Sequence, residues 1–147
     1  MTELIITRYA HFIAVFMIVG AIFAEQFLIA KNLTRLEIKR IAKIDAIYAI
    51  GAVLVLIAGF ALWFWIGKPA SFYSRNWIFH TKLTLFILLG LLSIYPTVFF
   101  LKNRKGNDLE TVVPVPNMVI LFLRLELLLI IIMPLLATMM SLGKGIF

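Results

Sequence analysis

Residues 118–142 read MVILFLRLELLLIIIMPLLATMMSL, with Arg124 and Glu126 the only charged side chains in the run. This stretch is longer than the ~20 residues a helix needs to cross the hydrocarbon core of a bilayer. Lipid offers no hydrogen bonds, so a segment this apolar satisfies its backbone internally, as a helix. Three further runs of the same character precede it, at about Ile5 to Ala30, Ala46 to Gly67 and Trp77 to Leu101. The first does not read as a cleaved signal peptide. It is too long for an h-region, lacks a basic n-region and carries Glu25 near its end. The fold class that follows is all-α: an integral membrane four-helix bundle, one transmembrane domain over residues 1–147.

Composition points the same way. Of 147 residues 63% are hydrophobic and 14% charged, against roughly 25% charged in a soluble domain. Mean hydropathy is +1.07. Cysteine is absent, which excludes disulfides, thiolate metal sites and thiol nucleophiles. The net charge of +7 does not make the chain a nucleic-acid binder. Its basic residues cluster at the ends of apolar runs, where they meet anionic headgroups, and form no stripe along which a phosphate backbone would run. Soluble enzyme chemistry has no foothold: there is no nucleotide-binding glycine loop, no H-E-x-x-H and no nucleophile with its base.

Charge asymmetry sets an expected orientation. The first connection holds Lys31, Arg35, Lys39, Arg40 and Lys43, and the third holds Lys102, Arg104 and Lys105; the second has only Lys68 and Arg75, the C-terminal tail only Lys144. The positive-inside rule then places the first and third connections in the cytoplasm, with both termini external. Thr34 and Glu37 form a T-x-x-E capping box, so a helix is expected to start near Arg35 and to run on into the second span. Gly51 and Gly59 lie on roughly one face of that span and allow close helix packing. Val-Pro-Val-Pro at 113–116 reads as an extended approach to the fourth span, with Asn117 as its N-cap.

Ionisable side chains inside a span cost at least about 2.5–3.5 kcal/mol each and call for a reason. The external-leaflet group is Arg8, His11, His80 and Lys82. Arg8 and His11 are three apart and share a helix face. Two imidazoles at similar depth, flanked by two cations, suit haem b: His11 and His80 as metal ligands, Arg8 and Lys82 near the propionates. His80 and Lys82, however, are two apart, about 200° around a helix, so only one of them faces the bundle interior. Lys82 aligns with Ser93 on a small, polar stripe, whereas His80 aligns with Trp77, which has the look of an interface anchor. The alternative for His80 is thus a headgroup-level residue, and for His11 a hydrogen-bonded core histidine.

The inner-leaflet group is a buried charge cluster of Glu25, Asp45, Arg124 and Glu126. Arg124 lies about two turns into the fourth span and needs a carboxylate. Glu25 is the expected partner, Asp45 the next. Arg124 and Glu126 face opposite sides of their helix, so one of them is expected to snorkel. As a structural feature this is a clamp on helix ends; as a functional one it is a proton path or an anion site. Aromatics crowd the external boundary from Trp63 to Trp77 as a belt or as the floor for a flat ligand. Met133, Met139 and Met140 are thioether candidates for an axial position, or plain filler.

Arg8-Tyr9-Ala10-His11, Trp77-Ile78-Phe79-His80-Thr81-Lys82 and Leu123-Arg124-Leu125-Glu126 together resemble an uncharacterised family of four-span bacterial membrane proteins, over essentially the whole chain. More remotely, the layout is similar to the membrane-bound protoporphyrinogen IX oxidase family, which binds haem b. That family's basic-x-x-His in the first span is matched by Arg8 and His11, and its Trp with His-x-Lys in the third by Trp77, His80 and Lys82. Its Arg with Asn-Glu in the fourth is matched in part by Arg124 and Glu126. Arg8 stands where the family has Lys, the Trp-to-His spacing is one residue longer, and the first connection is much shorter. The resemblance implies a haem-b-binding inner-membrane protein with an electron-transfer or porphyrinogen-oxidase-like oxidoreductase role. A quinone or other redox partner and a homo-oligomer are the expected associates in the lipid bilayer. Two other readings stay open: a small transporter or channel component using the buried charges, and a structural assembly partner.

Overall fold

The computed structural model describes residues 1–146. Four long helices carry the chain: α1 Thr2–Leu28, α2 Arg35–Ala61, α4 Trp77–Asn103 and α5 Asn117–Ser141, with a short α3 at Ala70–Ser74. Each long helix is apolar and long enough to cross a membrane, the second when counted through its extension to Ile66. The all-α membrane bundle expected from the sequence is thus the observed fold. α1 begins three residues earlier than the hydropathy reading, at Thr2.

Helix α1 packs along α2 and α4 along α5; the two hairpin-like halves meet where α2 touches α4 and α1 touches α5. Gly51 is what lets the first pair approach closely. A Cβ there would meet the Ala14 carbonyl oxygen, Ile18 Cγ1 and Met17 Cβ, all at 3.1 Å. Large exposed side chains such as Phe16, Phe27, Ile57 and Leu128 cover the outside of the bundle, the surface a lipid-solvated protein presents.

The α1–α2 and α4–α5 connections lie at the same end and join in a two-stranded antiparallel ribbon. In it β1 Asn32–Thr34 pairs with β2 Val112–Pro114, Leu33 opposite Val113. Backbone bonds from Val115 N to Lys31 O (2.8 Å) and from Arg35 N to Thr111 O (2.9 Å) extend it. The extended Val-Pro approach is therefore real, and its partner is the β1 segment. The capping box is also present: Thr34 accepts from Glu37 N while the Glu37 carboxylate takes the Thr34 backbone N–H. The expected Asn117 cap is not. Pro116 occupies the N-cap position and Asn117 is already the first helical residue, with no side-chain cap bond. A proline has no N–H and fixes φ, so the ribbon delivers the chain straight into the helix without a capping side chain.

At the opposite end α2 continues into a π-helical turn, Leu62–Ile66. The C-terminal tail folds back onto the start of α4. Asn76 is fully buried there; its Oδ1 accepts from Ile78 N (3.0 Å) and Phe79 N (3.3 Å) while Nδ2 donates to Lys144 O (3.0 Å). Trp77 N also donates to Gly145 O at 3.0 Å. One side chain thus caps a helix and clasps the tail.

Candidate functional site: a four-helix cavity and a buried carboxylate cluster

Toward the terminal end of the bundle, the four long helices part around a cavity of about 390 Å³. Its walls are apolar, with Val15 and Ile18 from α1, Val55 from α2, Phe86 from α4, and Ile130 and Met133 from α5. Two ionisable side chains line it: His11 from α1 and Lys82 from α4. The His11 ring lies beside the Val55 carbonyl, yet its buried Nδ1 makes no hydrogen bond. Gly59 forms the wall next to the imidazole; a Cβ there would lie 3.9 Å from His11 Cε1. Trp63 of the π-helical turn and Phe79 of α4 close the terminal side, their rings packed edge to face at 4.7 Å.

The four residues expected to surround a haem do not converge. His11 and Lys82 do. Arg8 is exposed, off the cavity. His80 is also exposed and lies outside the lining, its Nε2 2.9 Å from the Ser74 carbonyl oxygen, where the ring N–H donates. The cause is helical arithmetic: once Lys82 faces inward, His80 is turned about 200° away. His11 and His80 therefore do not share the cavity: His11 lines it and His80 does not. Among the described residues, no three His, Cys, Asp or Glu side chains are grouped to hold a metal ion.

The second constellation lies toward the ribbon end. Glu25 of α1, Asp45 of α2 and Glu126 of α5 are all buried and close enough to interact electrostatically. The Thr97 hydroxyl of α4 donates to Asp45 Oδ1 at 3.0 Å, and the Tyr48 phenol lies beside Glu126 and Ser93. Gln26, next to Glu25, donates instead to the Leu123 carbonyl across the α1–α5 contact at 2.7 Å. Arg124, the expected cation of this cluster, is exposed. Val119, Leu123, Glu126 and Ile130 form the buried stripe of α5; Arg124, two residues before Glu126, falls on the other face. The clamp between Arg124 and Glu25 or Asp45 does not form. Between the two constellations Ile18, Ile22, Leu89 and Ile130 pack into an apolar layer.

Sequence reasoning missed Tyr48, Thr97 and Asn76. Tyr48 sits three residues after Asp45, on the same helix face, and that spacing was the available signal.

Residues 4–145 match a family described as predicted membrane protein, DUF2214. The chain belongs to this family. No curated protein and no solved structure matches it. Family membership extends over all four spans and both constellations, and its description goes no further than residence in a membrane.

Proposed function

We propose that this DUF2214 protein binds a flat, mostly apolar cofactor in the four-helix cavity, and that the cofactor is haem b with His11 as its axial ligand. One observation carries the reading: His11 and Lys82 are the two ionisable side chains that line an otherwise apolar cavity, and the buried Nδ1 of His11 lacks a partner. A neutral imidazole nitrogen is an iron ligand, and an ammonium at membrane depth is a partner for a propionate. The donor set fits a haem held by a single imidazole rather than by two. When bound, haem b supplies one-electron chemistry at its iron. The chain's part is to ligate through His11, to neutralise a carboxylate through Lys82, and to keep water out with Val15, Val55, Phe86 and Ile130.

Electron transfer or porphyrinogen oxidation is the role that the sequence resemblance suggests for such a site. The basic first and third connections support a place in the bacterial inner membrane with the ribbon end cytoplasmic and both termini external. The exposed position of His80 favours a second reading, in which the cavity takes a quinone ring and His11 and Lys82 donate to its carbonyl oxygens.

Detergent-purified protein decides between them. Haem extracted in near-stoichiometric amount, with a Soret band that shifts on dithionite, is the expected result. A featureless spectrum after haemin is supplied overturns the haem assignment; a quinone in the organic extract would then support the second reading.

A further inference from the structure

We propose that Glu25, Asp45 and Glu126 form a proton-binding site, separate from the four-helix cavity. The groups that meet here come from all four long helices. α1 brings Glu25; α2 brings Asp45 and Tyr48; α5 brings Glu126; α4 brings no ionisable group, only the hydroxyls of Thr97 and Ser93. Among the described residues no cationic side chain joins them: Arg124 and Lys43, the nearest in sequence to Glu126 and Asp45, are both exposed.

Three carboxyl groups in one buried place repel each other when ionised, and burial without a cation penalises each charge further. Something positive must compensate them. A metal ion does not suit, because the three are not grouped as metal ligands are. Protons do.

A second observation points to the same ligand. Glu25 and Glu126 are 1% and 2% exposed, and each has one buried oxygen, Oε1, without any hydrogen-bond donor. Buried acceptors are almost always satisfied, so these two oxygens are where a proton belongs. Asp45, by contrast, receives the Thr97 hydroxyl. Asp45 thus has a donor in place, Glu126 has the Tyr48 phenol beside it, and Glu25 keeps a bare Oε1, an asymmetry suited to passing a proton between them.

The cluster lies nearer the ribbon end and is covered by apolar side chains on both sides, Ile41, Phe100, Val119 and Leu123 on the ribbon side. Glu25 lies three residues before the end of α1 at Leu28, and Thr97 six before the end of α4 at Asn103, so one to two turns separate the cluster from the ribbon end. Toward the cavity, Ile18, Ile22, Leu89 and Ile130 offer no polar group.

Infrared spectroscopy of the purified full-length protein in lipid nanodiscs tests this directly, since a protonated carboxyl has a C=O stretching band that an ionised one lacks. The expected wild-type result is a carboxylic band at neutral pH that disappears as the pH is raised and returns when it is lowered. Glu25→Gln and Glu126→Gln should each remove part of its intensity, while Glu3→Gln, on the exposed first turn of α1, should leave it unchanged. Absence of the band at neutral pH, or a band that does not respond to pH while the helices stay folded, overturns the proposal. Haem propionates are carboxyls too, so the band that counts is the part removed by Glu25→Gln or Glu126→Gln, with Asp45→Asn as the substitute if either variant does not fold.

Discussion

Gly59 faces His11 across the α1–α2 contact, and a Cβ on the glycine would lie 3.9 Å from the imidazole Cε1. That is ordinary van der Waals distance, so the glycine is not needed for packing, as Gly51 is. Its absent side chain is part of the cavity. Gly59→Leu should fill the space beside His11 and weaken ligand binding at least tenfold, about 1.4 kcal/mol. Thermal unfolding followed by circular dichroism should change little. A haemin titration of the variant beside wild type measures the loss.

Gly51 has the opposite character. Its neighbours Ala14 O, Ile18 Cγ1 and Met17 Cβ leave no room for a larger side chain, and overpacking of this kind costs about 1–3 kcal/mol. Gly51→Val should destabilise the protein in that range. Gly20, with nothing within 4 Å of its Cβ direction, should tolerate Ala and gain roughly 0.5–1 kcal/mol from helix propensity. Denaturant unfolding in detergent compares the two.

Asn76 joins the N-terminus of α4 to the C-terminal tail through Ile78 N, Phe79 N and Lys144 O. Asn76→Ala removes a helix cap, typically about 1 kcal/mol, together with the clasp. Carboxypeptidase should trim the variant's tail faster than that of wild type, and Asn76→Asp, which keeps the cap acceptor but loses the donor to Lys144, should release the tail while retaining most of the stability.

Thr97→Val leaves Asp45 Oδ1 without its donor, which should cost about 1–3 kcal/mol; Thr97→Ser should restore it. Arg124→Gln should not lower stability, because Arg124 is exposed and outside the cluster and an uncharged side chain is the less costly one at membrane depth. The same denaturant series separates these outcomes.

The spans were legible because hydropathy and length suffice for helices in lipid, and the start of α2 because Thr34 and Glu37 form a local motif. Helical periodicity also showed that His80 and Lys82 oppose each other, as do Arg124 and Glu126. It could not say which of each pair turns inward. That is decided by neighbours far along the chain: Glu126 meets Glu25 and Asp45 of α1 and α2, and Lys82 lines the cavity it shares with His11 and Gly59. The ribbon and the Asn76 clasp were invisible for a related reason. Each rests on a few backbone bonds between segments distant in sequence, and three-residue strands leave no periodic trace. The Asn117 cap failed because the preceding proline already sets the entry into α5.

The most direct test of the cavity assignment is the absorption spectrum of haem-loaded His11→Ala and His80→Ala beside wild type. His80→Ala should keep the Soret band and the haem stoichiometry of wild type, whereas His11→Ala should lose both. A His11→Ala protein that retains them, or loss on replacing His80 alone, would contradict the assignment.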